Sequence, residues 1–183
     1  WPEIATDLET RAPEGILSEL IENATASDLP ALNIALRQAK QKIHLLCALC
    51  DLAGVWDWDK VCRALSDFAD KSMNELISTV ATDMNFAGDN DNPVPGLFVL
   101  AMGKYGAREL NYSSDIDLIV FYDPDRIVLP DPARAERTLI RFVRNVMRGF
   151  DDISEHGYVF RTDLRLRPDP RATTVAVSTR TAE

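Results

Sequence analysis

Two carboxylates one residue apart inside an apolar run constrain this chain more than any other feature. Ser113-Ser114-Asp115-Ile116-Asp117-Leu118-Ile119-Val120 follows the glycine-punctuated turn Gly103-Lys104-Tyr105-Gly106. In an extended strand, residues two apart share a face, so Asp115 and Asp117 project together while Ile116, Leu118 and Val120 face the other way. Carboxylates about 7 Å apart repel by roughly 2 kcal/mol at an effective dielectric near 20. Keeping such a pair calls for a compensating cation, and hard oxygen ligands suit magnesium. The alternative is a solvated strand edge with two exposed acids. The run Leu118-Ile119-Val120-Phe121 speaks against it, because it reads as a buried strand.

A second segment offers a third acid. Tyr158-Val159-Phe160-Arg161-Thr162-Asp163-Leu164-Arg165-Leu166-Arg167 alternates, which predicts a strand over 158–167 with Arg161, Asp163, Arg165 and Arg167 on one face. An acid among guanidinium groups suits a metal and phosphate site, since arginine forks match phosphate oxygens. Taken alone it fits a surface strand of weak ion pairs equally well. Beside Asp115 and Asp117, the functional reading gains.

The rest of the chain organises around these segments. Residues 14–24 read as a short helix. A long one follows over 28–52, with Asp28 as N-cap, Pro30 in the first turn and Gly54 beyond its end. A third begins at Trp56-Asp57-Trp58-Asp59 and runs to about Met84. The stretch 88–96 packs turn formers and marks a boundary. Leu97 to Met102 reads as a buried strand, and a helix is expected from about Pro132 to Gly149. That helix carries an apolar stripe (Ala135, Leu139, Phe142, Val143, Val146, Met147) that should bury against the sheet. A separate basic stripe holds Arg134, Arg137, Arg141, Arg144 and Arg148 and reads as a solvated face or a docking face for an acidic partner.

Composition narrows the classes. The 183 residues are 46% hydrophobic and 27% charged, with a net charge of −9. That balance fits a globular domain and argues against general binding of nucleic acid or anionic membrane. No apolar run reaches the roughly 20 residues of a membrane span. Cys47, Cys50 and Cys62, with His44 nearby, lack the separated pairs of a zinc site and read as helix core in a reducing cytosol, so a cytoplasmic protein is expected. His156 in its turn reads as structural rather than as a general base. Lys104 sits where backbone amides could cradle phosphate and its ammonium add charge. The pattern is not a P-loop, which needs a longer glycine spacing.

Gly103-Lys104-Tyr105-Gly106-Ala107-Arg108-Glu109-Leu110-Asn111-Tyr112-Ser113-Ser114-Asp115-Ile116-Asp117-Leu118-Ile119, followed by Arg161 to Pro168, resembles the glutamine synthetase adenylyltransferase and adenylyl-removing enzymes, in the polymerase-beta-like nucleotidyltransferase superfamily. Tyr105 and Ala107 depart from the leucine and glycine expected of that pattern. Weaker likeness extends upstream to about Asp51. The resemblance implies an α/β fold of the α+β kind: a helical N-terminal part over 1–88 and a nucleotidyltransferase core with a small mixed sheet over 89–183, together a fragment of a longer two-domain enzyme.

The resemblance also implies a metal-dependent enzyme acting on a tyrosine of glutamine synthetase, with nucleotide and phosphate as small partners and a PII-type signalling protein as a further one. Phe160 to Leu164 and Asp169-Pro170 look like the half that removes AMP by phosphorolysis, giving ADP. The half that transfers AMP from ATP is the alternative, and a non-catalytic regulatory binding module is a third reading. On the expected chemistry Asp115 and Asp117 bridge two magnesium ions and Asp163 holds the ion that activates the nucleophile. Gly103 and Ser114 shape the phosphate side with Lys104. Arg161 and Arg165 stabilise developing charge, with Arg167 in support.

Overall fold

The computed structural model describes residues 1–89, 91–130, 134–166 and 174–181. Four helices come first: α1 (Pro2–Leu8), α2 (Pro13–Glu22), α3 (Leu29–Leu52) and α4 (Trp58–Asp83). The two long ones start where local chemistry dictates. Asp28 Oδ1 accepts from the Ala31 amide at 2.9 Å, and Asp57 Oδ1 accepts from the Lys60 amide at 2.9 Å. Each carboxylate satisfies an orphan donor of the first turn. Three of the sequence-predicted helices therefore hold, with small shifts at their ends; α1 carried no periodic signal and was not foreseen.

After the helical part come β1 (Leu97–Met102), the one-turn helix α5 (Gly103–Gly106), β2 (Ile116–Tyr122), α6 (Ala135–Asp151), β3 (Thr162–Asp163) and β4 (Ala176–Ser178), then a 3-10 turn at Thr179–Thr181. The sheet is mixed and four-stranded. β1 runs antiparallel to β2, while β3 and β4 both pair parallel with β2. With β1 on one edge of β2, the two short strands share the other. α6 makes the crossover from β2 to β3 that a parallel pair requires.

Register divides the sheet into two unlike faces. Ile116, Leu118 and Val120 are buried, as are Leu139, Phe142, Val143, Val146, Met147 and Phe150 of α6. One apolar cluster joins this face to α3 and α4. Directly opposed strand residues share a face, so the pairs Met102–Asp117, Leu100–Ile119 and Phe98–Phe121 lie together on the other side. There Phe98, Leu100 and Met102 remain exposed, and Phe98 stacks on Phe121 with ring centroids 5.6 Å apart.

Two expectations need correction. Leu97–Met102 is not a buried strand: it is an edge strand that buries only its Leu97 and Val99 side in part. The alternating strand over 158–167 shrinks to Thr162–Asp163. Val159 and Phe160 are both buried, which strict alternation forbids. Beyond Asp163 the chain turns, because the Asp163 carboxylate accepts from the Arg165 amide at 2.8 Å and takes over a bond that a strand would give to its neighbour. Arg167, Asp169 and Pro170 lie outside the described residues, as do the first residues expected in α6. The basic stripe is exposed on α6, and no helix among the described residues is long and apolar enough to cross a membrane.

Candidate active site

The site begins at the end of β1, where the chain reverses through α5. Gly103 has φ +54 and lies against Asp117: a Cβ built on it would sit 2.4 Å from Asp117 Oδ2. A side chain would be strained by the backbone and would have to displace the carboxylate, so glycine is strongly favoured here. Gly106 is similarly close to the end of β1, with Ala101 O at 2.4 Å from the ideal Cβ position. The turn is thus locked between β1 and the acid on β2.

Across the sheet Asp117 pairs in register with Asp163, on strands spaced by roughly 4.8 Å. Asp115 stands just ahead of β2, two residues before Asp117. All three acids lie near enough for their charges to act on Arg165. Its guanidinium pKa is raised first by its bonds to Asp163, and the charges of Asp115 and Asp117 add to the rise. Arg165 reaches Asp163 with Nη2 at 2.5 Å and Nε at 3.0 Å. These bonds, with the Arg165 amide, hold the Asp163 carboxyl below its ordinary range.

Arg161 makes the matching contact on the other side. Its Nε donates to Asp115 Oδ1 at 2.5 Å and its Nη2 to the Ser113 carbonyl at 2.8 Å. The Ile116 amide donates to the Arg161 carbonyl at 2.9 Å, which fixes this arginine to the start of β2. The Asp117 carboxylate, by contrast, has no hydrogen bond or ion pair among the described residues. Two acids are thus neutralised by arginines, and the central one is left to Gly103.

The remaining residues expected at the site fall as follows. Ser114 Oγ accepts from the Asn111 amide at 3.2 Å, closing the loop before the acids. Lys104 is exposed on α5, and its charge is felt by the Cys62 thiol on α4. His156 sits in a hydrogen-bonded turn between Ser154 and Gly157, consistent with a structural role. Cys47 is buried, and burial pushes its thiol up to about 12. His44 is packed edge-on against the Tyr112 ring at 5.4 Å.

Sequence reasoning missed Asp151 at the end of α6, whose carboxylate accepts from the Thr162 amide at 2.8 Å and from its hydroxyl at 2.5 Å. No local spacing signals this contact, because α6 and β3 meet only in the folded chain.

Whether these acids suit a divalent ion turns on their surroundings. Among the described residues no group of three His, Cys, Asp or Glu is gathered closely enough to hold a metal as it stands. The donor set itself fits a hard cation, since all three candidates are carboxylates and the Asp117 carboxylate makes no ion pair among the described residues. The space beside its Oδ2 is one that a Cβ at position 103 would fill.

Comparison with known proteins places this constellation in a family. The family described as Glutamate-ammonia ligase adenylyltransferase matches residues 6–183. A protein of Brucella suis biovar 1 (strain 1330), named bifunctional glutamine synthetase adenylyltransferase/adenylyl-removing enzyme, is 40% identical over 96% of this chain and 19% of its own length. A protein of the same name from Mesorhizobium japonicum is 46% identical over 80% of this chain and 16% of its own. A third, from Rhodopseudomonas palustris (strain ATCC BAA-98 / CGA009), is 42% identical over 92% of the chain and 18% of its own. The chain therefore spans about a fifth of these relatives (19% of the first). The acid pair, its glycine turn and the arginine-held third acid all lie within the matched span, and this chain belongs to the glutamate-ammonia ligase adenylyltransferase family.

Proposed function

We propose that this chain carries a nucleotidyl-transfer site that removes AMP from a modified tyrosine of glutamine synthetase, with inorganic phosphate as the attacking group. The observation that carries the reading is the register of Asp117 with Asp163 beside a left-handed glycine that lies against the Asp117 carboxylate. The names of the relatives supply the protein substrate, and the likeness of residues 160–164 to the adenylyl-removing half supplies the direction.

The chemistry is an in-line displacement at phosphorus. A phosphate oxygen attacks the adenylyl phosphorus, the bond from phosphorus to the tyrosine oxygen breaks, and that oxygen takes up a proton. The products are ADP and unmodified tyrosine. Magnesium, held by Asp115, Asp117 and Asp163, would supply charge neutralisation for the phosphate oxygens. The chain does the positioning. Gly103 keeps the turn close to Asp117. Lys104 and Ser114 flank the approach of the anion. Arg161 and Arg165 are mounted beside the acids on the exposed side, where their guanidinium groups can turn from carboxylate to phosphate. Positioning and electrostatics account for most of the catalysis in such transfers.

The test is incubation of the chain with AMP-modified glutamine synthetase, phosphate and magnesium, with nucleotide products separated by chromatography. ADP release that disappears with Asp117→Asn is the expected result. AMP transfer from ATP onto unmodified glutamine synthetase, without ADP formation from phosphate, would assign the chain to the opposite reaction. Neither activity, with tight glutamine synthetase binding, would leave a binding module.

A further inference from the structure

The turn that carries Gly103 is tied to the helical N-terminal part by a side-chain network that neither the family pattern nor the proposed chemistry uses. Tyr105, where the pattern expects leucine, is buried, and its hydroxyl donates to Asp70 Oδ1 on α4 at 2.7 Å. Arg108 donates through Nη1 to the other Asp70 oxygen at 3.1 Å, and through Nη2 to Asp67 one turn earlier. Burial, then the bond to Asp70, pushes the Tyr105 phenol above its ordinary range, so the hydroxyl stays a donor at neutral pH.

The backbone of the turn is tightly defined. Arg108 has φ +60, a left-handed conformation that a non-glycine residue holds only when its surroundings fix it. Three amides close back onto α5: Ala107 to the Gly103 carbonyl, Arg108 to that of Tyr105 and Glu109 to that of Lys104, at 3.1, 3.0 and 2.7 Å. Tyr105 is two residues from Gly103, and any rocking of this short turn is transmitted to the contact with Asp117. There an ideal Cβ has only 2.4 Å of clearance.

We propose that Tyr105 and Arg108, acting through Asp70 and Asp67, are positioning residues that set the height of the Gly103 turn against Asp117. The helical part of the chain then takes part in catalysis indirectly, and movement of α4 is read out at the acids. The activity arm of the test rests on the function proposed above; the exchange arm does not.

The experiment uses the whole 183-residue chain. Tyr105→Phe removes one hydroxyl and keeps the buried ring, and Asp70→Ala removes the acceptor from α4. Amide hydrogen exchange is followed at residues 107–109 and, as an internal control, along α4. The expected result is exchange at 107–109 faster by about tenfold or more in each variant, with α4 unchanged, since only local hydrogen bonds are lost without global unfolding. The double variant should match Asp70→Ala, because that variant already lacks the Tyr105 bond. For phosphorolysis, kcat should fall by about tenfold with KM for AMP-modified glutamine synthetase unchanged, the pattern of misplaced chemistry rather than lost binding. Unaltered exchange at 107–109 in Tyr105→Phe, or additive effects in the double variant, would overturn the proposal. Absence of phosphorolysis in the unmodified chain would instead count against the proposed function, and exchange alone would then decide the role of Tyr105.

Discussion

Gly103 and Asp117 are in contact across the end of the β1–β2 pair, with 2.4 Å between Asp117 Oδ2 and the place where a Cβ on residue 103 would lie. The acid on the strand and the glycine in the turn therefore define one surface. Gly103→Ala should cost about 1–2 kcal/mol of stability from the left-handed backbone alone. The displaced carboxylate should lower activity by about a hundredfold, the cost of misplacing a reacting group by an ångström. Denaturant unfolding and the phosphorolysis assay read the two effects separately. Activity within a few-fold of the parent would show that the contact is dispensable.

Asp115→Asn and Asp163→Asn should each abolish phosphorolysis while changing stability by no more than about 1 kcal/mol, since their arginine partners are at least half exposed and solvent takes over the lost interaction. Thermal unfolding beside the activity assay checks this. Full activity in either variant would place the chemistry elsewhere.

His44 makes stability depend on pH. Its pKa falls to about 4, mainly through burial and secondarily through the charge of Lys40. Between about 4 and 6.5 the unfolded chain binds the proton and the folded chain does not. Stability is therefore full above pH 6.5 and declines as pH falls toward 4, by an amount of order 3 kcal/mol. His44→Phe, which keeps a ring against Tyr112, should flatten that slope in urea titrations at pH 4.5 and 6.5. An equally steep slope in the variant would assign the dependence to other groups.

Arg37 is a buried cation satisfied by backbone carbonyls. It donates to the Gly157 carbonyl at 2.9 Å, to that of Asp152 at 2.5 Å and to that of Asn33 at 2.8 Å, so it pins the loop between α6 and β3 to α3. Arg37→Met leaves the Asp152 carbonyl without this donor, while the Gly157 carbonyl still accepts from the Ser154 amide, and should cost about 1–3 kcal/mol, the penalty for one buried acceptor. A loss below 1 kcal/mol in urea denaturation would mean that solvent enters the gap.

The α6 arginines differ from most others in this acidic chain. Arg11, Arg63, Arg108, Arg161, Arg165 and Arg180 are each paired with a carboxylate. Arg137, Arg141, Arg144 and Arg148 have no such partner among the described residues. Arg141 has like charges four residues before it and three after. Arg141→Glu turns two repulsive pairs into attractive ones and should stabilise the helix by about 1 kcal/mol at low salt, from pair energies of 0.2–0.5 kcal/mol. The gain should shrink as salt rises. A lower melting temperature would show that the stripe is held by contacts rather than by solvent.

Much of the framework was legible because its causes are local. Asp28 and Asp57 announce their helices by capping amides three residues on, and the two-residue period of Ile116, Leu118 and Val120 needs only the pleat of one strand. The same period put Asp115 and Asp117 on one side before any neighbour was known. Tertiary structure decided what lay across it. The segment after Tyr158 alternates in sequence, yet it is not a long strand, because Val159 and Phe160 are both drawn into the core and Asp163 bonds its own downstream amide. β4 adds only three residues to β2 and becomes a strand through pairing alone. The bond from Tyr105 to Asp70 spans 35 residues and carries no spacing rule, since helix and turn meet only once the core has closed around them.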